Sequence, residues 1–235
     1  MKPVAIFRFS PTEGPGHFAS FLESRQIPWR LFKLDAGEDV PQDLDNYAGF
    51  VFMGGPMSVN DDLPWIAPIL DLIRRAVATD QPCLGHCLGG QLMSKALGGV
   101  VTRNPVKEIG WNPVRVEDSP IARDWLGAEL GEWTTFQWHG ETFSIPPGAT
   151  RVLKGEACAN QAYVLGKSLG MQCHVEMTPQ MIEAWCHDWA KEGADPALPS
   201  VQTPEEIKAA MAVNLQTLNR VADRLYARWI SGLAV

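Results

Sequence analysis

Short runs of residues that are apolar nearly throughout alternate with stretches of helical periodicity along the first third of this chain. That alternation constrains the fold more than any other feature. The runs are Pro3–Phe9, Trp29–Leu34, Ala48–Met53 and Pro82–His86. A strand with one wet face alternates apolar and polar residues, whereas a strand apolar on both faces belongs in a sheet covered on both sides. Between the runs, His17–Arg25 carries Phe18, Phe21 and Leu22, and Pro64–Ala78 carries Ile66, Ile69, Leu70, Ile73 and Val77, the spacing of amphipathic helices. Ser10–Gly16 (SPTEGPG) reads as a loop by its Pro and Gly. The prediction is an α/β protein built on a mostly parallel sheet with helices on both faces.

The middle of the chain changes character. Val100–Val116 and Glu132–Leu165 contain short β-prone pieces between turn residues, among them Trp111–Val116, Trp133–His139, Arg151–Lys154 and Ala162–Leu165. These are expected as antiparallel edge additions to the same sheet, not as a separate domain. Ser168–His174 reads as another buried strand. Thr178-Pro179 and Thr203-Pro204-Glu205-Glu206 open two helices, over about 178–192 and 203–231, the second with a capping box at Glu206. Ile207, Met211, Leu215, Leu218, Ala222, Leu225 and Trp229 make one stripe on the second, expected to pack on the core. Residues 1–235 are therefore read as a single domain.

Composition excludes several classes. With 46% hydrophobic and 20% charged residues the chain is globular and not disordered. A net charge of −7 argues against a nucleic-acid partner, whose phosphates demand clustered cations. No 18 apolar residues run together, so no membrane span is expected. The opening MKPVAIFRFS has neither the pattern of a signal peptide nor that of an anchor. Five cysteines, an odd number, argue for a reducing cytoplasm and a working thiol over a disulfide framework.

The segment richest in chemistry is Pro82-Cys83-Leu84-Gly85-His86-Cys87-Leu88-Gly89-Gly90-Gln91-Leu92, which holds Gly-x-Cys-x-Gly at Gly85, Cys87 and Gly89. About 0.04 such matches are expected by chance in a chain of this composition. A nucleophile on a sharp strand-to-helix turn needs small neighbours, because the backbone there is crowded and strained. Such a turn sets the sulfur at the carboxyl edge of the sheet and at a helix N-terminus, which favours thiolate. The plainer alternative is a buried cysteine at a tight packing turn.

A thiol nucleophile needs a base, and the base an orienting acceptor. His139-Gly140-Glu141 and His174-Val175-Glu176 each pair a histidine with a carboxylate two residues on. His174 is preferred because it closes the apolar run Leu169–Cys173, a more rigid support than the irregular region around His139. Alternation would put His174 and Glu176 on one side. Either histidine would otherwise read as a polar strand end. Oxyanion donors are expected from Gly54-Gly55-Pro56, after a core strand, and from the Leu88 amide. Seen alone, Gly-Gly-Pro is also an ordinary turn.

Phe52-Met53-Gly54-Gly55-Pro56, Gly85-His86-Cys87-Leu88-Gly89-Gly90-Gln91 and Gln172-Cys173-His174-Val175-Glu176 together resemble the class I glutamine amidotransferases. The likeness spans roughly residues 4 to 177. It is nearest to stand-alone members related to the glutaminase part of GMP synthetase, which include the γ-glutamyl peptidases; Glu108-Ile109-Gly110-Trp111 and Trp138-His139-Gly140-Glu141 share in it. The resemblance implies a flavodoxin-like sheet with Cys87 as nucleophile, His174 as base and Glu176 as its orienter. It further implies Gly55 and Leu88 as the oxyanion hole, Gln91 and Gly140 as substrate contacts, and a pocket-lining role for the second His-x-Glu pair. Gly90 and Val175 depart from the His and Pro that many members carry there.

The implied reaction is hydrolysis of the side-chain amide of glutamine or a related γ-glutamyl compound, with no metal or organic cofactor. No phosphate-binding loop or room for an ATP-using synthetase domain exists in the chain, so ammonia would be released or passed to a separate synthetase subunit. Two other classes remain. Cys83, His86, Cys87, Cys173, His174, Cys186 and His187 are zinc-ligand types, though their spacings match no standard finger. A catalytically silent regulatory protein on the same fold is the other.

Overall fold

The computed structural model describes residues 1–128 and 131–233. Its nine strands are β1 (Val4–Arg8), β2 (Trp29–Lys33), β3 (Gly49–Phe52), β4 (Cys83–His86), β5 (Val101–Val116), β6 (Glu132–Phe143), β7 (Thr150–Gly155), β8 (Ala162–Leu165) and β9 (Ser168–Met171). The helices are α1 (Gly16–Ser24), α2 (Ile66–Ala78), α3 (Leu88–Ala96), α4 (Pro120–Leu126), α5 (Pro179–Asp188) and α6 (Pro204–Ile230). All nine strands form one sheet, in the order β2-β1-β3-β4-β9-β8-β7-β5-β6. The first five are parallel and the rest are joined antiparallel. The order of the parallel half is that of the flavodoxin-like doubly wound fold, with β9 in fifth place.

The apolar runs are explained by two cores, one on each face of the sheet. Val4, Ile6, Val51 and Met53 point to the face covered by α1 (Phe18, Phe21, Leu22) and α6 (Leu218, Leu225, Trp229). Ala5, Phe7, Phe50 and Phe52 point to the other, against α2 (Ile69, Ile73) and α3 (Leu88, Leu92). Successive residues of a strand alternate faces, so a strand buried on both has no polar position left to signal the alternation. The α6 stripe packs on the first core as expected, with Met211 half-buried at its edge. Thr203 and Glu206 form the full capping box, and Thr178 caps α5.

Two expectations need correction. The β-prone pieces of the middle are not all short: β5 runs 16 residues and pairs with the 12-residue β6. The turn-like residues Asn104–Lys107 are absorbed by a register shift between Arg103 and Glu108. Asn104 Nδ2 ties that bulge together with bonds to the Val106 and Ala157 carbonyls. The strand expected over Ser168–His174 stops at Met171, and His174 is instead bridged to Phe136 of β6. Among the described residues no helix is long and apolar enough to cross a membrane.

Candidate active site

The loops after β1, β3, β4 and β9 meet at the carboxyl ends of the parallel strands, where open α/β sheets bind ligands. Cys87 is the single residue between β4 and α3, and it adopts φ 49°, ψ −107°. That is a strained conformation for a side chain with a Cβ. Its small neighbours are needed for contact. A Cβ on Gly85 would lie 2.5 Å from the Gly89 backbone, and one on Gly89 would overlap the Phe52 carbonyl. The turn is thus pressed between β3 and its own helix, and Cys87 comes out on the wall of a cavity of about 1040 Å³.

His174 Nδ1 lies 2.7 Å from Glu176 Oε1, both side chains being buried. The His174 amide bonds to the Phe136 carbonyl at 2.9 Å, and the Trp185 ring of α5 packs edge-on to the imidazole at 4.9 Å. The support for His174 therefore comes from β6 and α5, not from the strand that precedes it. The Gly16 region closes the other side: the His17 amide donates to the Glu176 carbonyl at 2.8 Å, and a Cβ on Gly16 would overlap that oxygen.

The electrostatics follow from burial and neighbours. Burial alone would lower the His174 pKa, but the Glu176 carboxylate and Cys87 outweigh it and hold it well above its ordinary value. Burial likewise acts to raise the Glu176 pKa, and the facing His86 and His174 bring it below the usual carboxylate range. Imidazolium and carboxylate are thus the favoured forms of this pair. Burial pushes the Cys83 and Cys173 thiols up to about 12 and Cys158 up to about 11, so these three stay protonated near neutrality.

Gly55, Gln91 and Gly140 line the same cavity as Cys87. Gln91 Nε2 donates to Gln172 Oε1 at 3.2 Å and reaches the Glu141 carbonyl at 3.4 Å. Leu88 opens α3, so its N–H is one of the orphan donors of a helix start. His139 also lines the cavity, but both its ring nitrogens are engaged, Nδ1 with the Glu141 carbonyl (2.8 Å) and Nε2 with Glu108 (2.9 Å).

Two further groups stand at the site. Gln172 Nε2 donates to the Cys87 sulfur at 3.6 Å; it stands in the quoted motif two residues before His174, but nothing in its type marks it as a thiol partner. Glu13, from the Pro- and Gly-rich loop, lines the cavity with its carboxylate against Gly54, where the absent Cβ leaves room. Removal from water raises its pKa from an ordinary 4.5 to about 7, against the opposing pull of His174. Among the described residues no three of the expected zinc-ligand residues lie at ligand spacing. The group with ligand spacing among the described residues is Glu108, His139 and Cys158, and it shares no member with the expected set. Glu108 is already bonded to His139 and Gln161, and Cys158 to Thr142.

Fold and site together define a class: an α/β protein that sets a cysteine and a histidine–carboxylate pair at the carboxyl ends of parallel strands. The glutamine amidotransferase class-I family matches over residues 18–185, and the chain belongs to that family. The crystal structure of a glutamine amidotransferase from Methylobacillus flagellatus superposes with a TM-score of 0.96 at 49% identity, over 100% of this chain and 96% of that one. The glutamine-hydrolysing GMP synthase subunit of Sulfurisphaera tokodaii is 32% identical over 137 residues, 57% of this chain and 70% of its own. γ-Glutamyl peptidase 4 of Arabidopsis thaliana is 31% identical over 117 residues, 48% of this chain and 46% of its own. The relatives the motifs point to are thus the ones found, and family membership places the chain among enzymes of glutamine-amide chemistry.

Proposed function

We propose that the protein hydrolyses the side-chain amide of glutamine or of a related γ-glutamyl compound through a thioester on Cys87. The observation that carries this is the Cys87 turn beside a buried His174–Glu176 pair whose charged forms the surroundings favour. Imidazolium next to a thiol stabilises thiolate, the attacking species. The Cys87 sulfur adds to the amide carbon, and the oxyanion is received by the Gly55 and Leu88 N–H groups, each such donor being worth about 3 kcal/mol. His174 gives its proton to the leaving nitrogen as the C–N bond breaks, then takes one from the water that attacks the thioester. Glu176 keeps Nδ1 protonated and the ring aligned throughout. Gln91 and Gly140 face the glutamyl part from the cavity wall. These steps involve protons and acyl transfer only and draw on no metal or organic cofactor.

The fate of the amine separates two readings. The cavity, about 1040 Å³, has room for γ-glutamyl compounds bulkier than glutamine, which fits the first reading, an enzyme that releases the amine. A glutaminase that passes ammonia to a synthetase is the second reading, supported by the likeness to a GMP synthase subunit. All of the chain is read as one domain, working in a reducing cytoplasm that would keep its free cysteines as thiols. The test is release of glutamate and amine from glutamine and from a panel of γ-glutamyl amides. Turnover by the protein and none by Cys87→Ser is expected; equal turnover by both would overturn the proposal.

A further inference from the structure

Behind the His174–Glu176 pair lies a second histidine that the proposed reaction does not use. His86 is the last residue of β4, next to Cys87 in the chain, and it is fully buried. Its Nε2 lies 3.1 Å from the Tyr226 hydroxyl and 3.8 Å from Glu176 Oε2. Glu176 Oε2 is buried and has no hydrogen-bond partner, and neither has His86 Nδ1. Tyr226 comes from α6, beyond the residues 18–185 that match the family. Its ring is buried between the edges of Phe18 and Phe21, which leaves the hydroxyl little freedom.

These contacts set the His86 tautomer. Burial holds the His86 pKa below its ordinary value despite the attraction of Glu176, so the ring is neutral and has one N–H. A carboxylate attracts an N–H and repels a ring lone pair. An N–H on Nδ1 would be buried with no acceptor, whereas on Nε2 it has the Tyr226 oxygen and the Glu176 carboxylate before it. The proton therefore belongs on Nε2.

We propose that Tyr226 and His86 are positioning residues for the triad: the Tyr226 hydroxyl accepts the Nε2–H of His86 and holds that edge of the ring 3.8 Å from Glu176 Oε2, which steadies the carboxylate whose other oxygen orients His174. The inference rests on the proposed function of Cys87, His174 and Glu176. It makes the C-terminal helix part of the site from behind, through Tyr226, His86 and Glu176 in series. The charged and titratable groups facing this series are His174, Glu176 and Glu13 at one end and His17, Asp223 and Cys173 near Tyr226 at the other. Outer groups that orient a functional side chain act by narrowing its geometry and adjusting its basicity.

The test is the pH dependence of Cys87 alkylation by iodoacetamide, which needs no substrate, in Tyr226→Phe, His86→Leu and His86→Gln. Loosening Glu176 lowers the basicity of His174 and so the thiolate fraction. Tyr226→Phe and His86→Leu are expected to slow alkylation roughly three- to tenfold below the ionisation midpoint and to move that midpoint to higher pH, since one pH unit corresponds to tenfold. His86→Gln, which keeps an N–H donor, is expected to recover most of the rate. Tyr226→Phe removes one oxygen and no packing volume, so melting temperatures near that of the parent protein separate positioning from folding. Parent-like profiles in both Tyr226→Phe and His86→Leu would overturn the inference alone. A parent protein whose Cys87 alkylates like an ordinary free thiol would overturn the reading of the site, and the inference with it.

Discussion

Glu13 shows at the scale of one residue how this site is assembled from parts that residue type alone does not announce. In the sequence it is the one charge in a Pro- and Gly-rich loop, ordinarily a solvated position. The fold brings that loop over the carboxyl end of β3, and the carboxylate comes to rest against Gly54 within the field of His174 and Glu176. Its pKa is raised from 4.5 to about 7. A group raised in the folded state contributes stability that is full below its unfolded value and is lost as pH rises through the folded one. Glu13→Gln removes that loss. The variant is therefore expected to gain stability relative to the parent as pH climbs from 4.5 to about 7, with no further gain above, as read by urea unfolding at a series of pH values. A constant difference across that window would contradict the placement. The two His-x-Glu pairs are visible in the sequence. Rigidity of support favours His174-x-Glu176 over His139-x-Glu141 in the sequence; in the structure Glu176 takes Nδ1 of His174, while the Glu141 carbonyl and Glu108 take the two nitrogens of His139. The support itself differs from the expected one, since β9 ends three residues early and β6 does the holding. Non-local pairing of this kind leaves no mark in the local sequence.

At the scale of elements, what can be read is what local pattern dictates. The four runs of the parallel half and the helices between them follow from period and from turn residues, and they match within a few residues. The long β5–β6 pair reads as pieces because Asn104, Pro105 and Gly140 look like breaks. A bulge lets a strand carry such residues and continue. The turn at Cys87 belongs to this scale too. Gly85, Gly89 and Gly90 are small because β3, α3 and the Met171 backbone crowd them, not merely because the turn needs flexibility. Gly89→Ala would drive a methyl group into the Phe52 carbonyl, and overpacking of this sort costs about 1–3 kcal/mol. The expected result is a lowered melting temperature together with slower Cys87 alkylation, since β3 and the helix start must part. A variant that melts and alkylates like the parent would show that the turn has slack.

At the scale of the whole molecule, the sheet gathers Gly55 after β3, Cys87 after β4 and His174 after β9 to one edge, although 119 residue numbers separate the first from the last. The two cores fix the register of the parallel strands and, with it, the relative height of those loops. The antiparallel half contributes β6, which props His174, and the far cavity wall around His139 and Gly140. Each part that the proposed reaction needs is therefore set by long-range packing, and an isolated piece of the chain would not hold it. The central claim is that acyl transfer passes through Cys87. The most direct measurement is mass spectrometry of the Cys87 peptide after acid quenching during turnover of a γ-glutamyl substrate. The account predicts a glutamyl thioester on Cys87 that builds up in the steady state and is absent from Cys87→Ser, which does not turn over. Turnover at the parent rate in Cys87→Ser, or a glutamyl adduct on another residue, would contradict it.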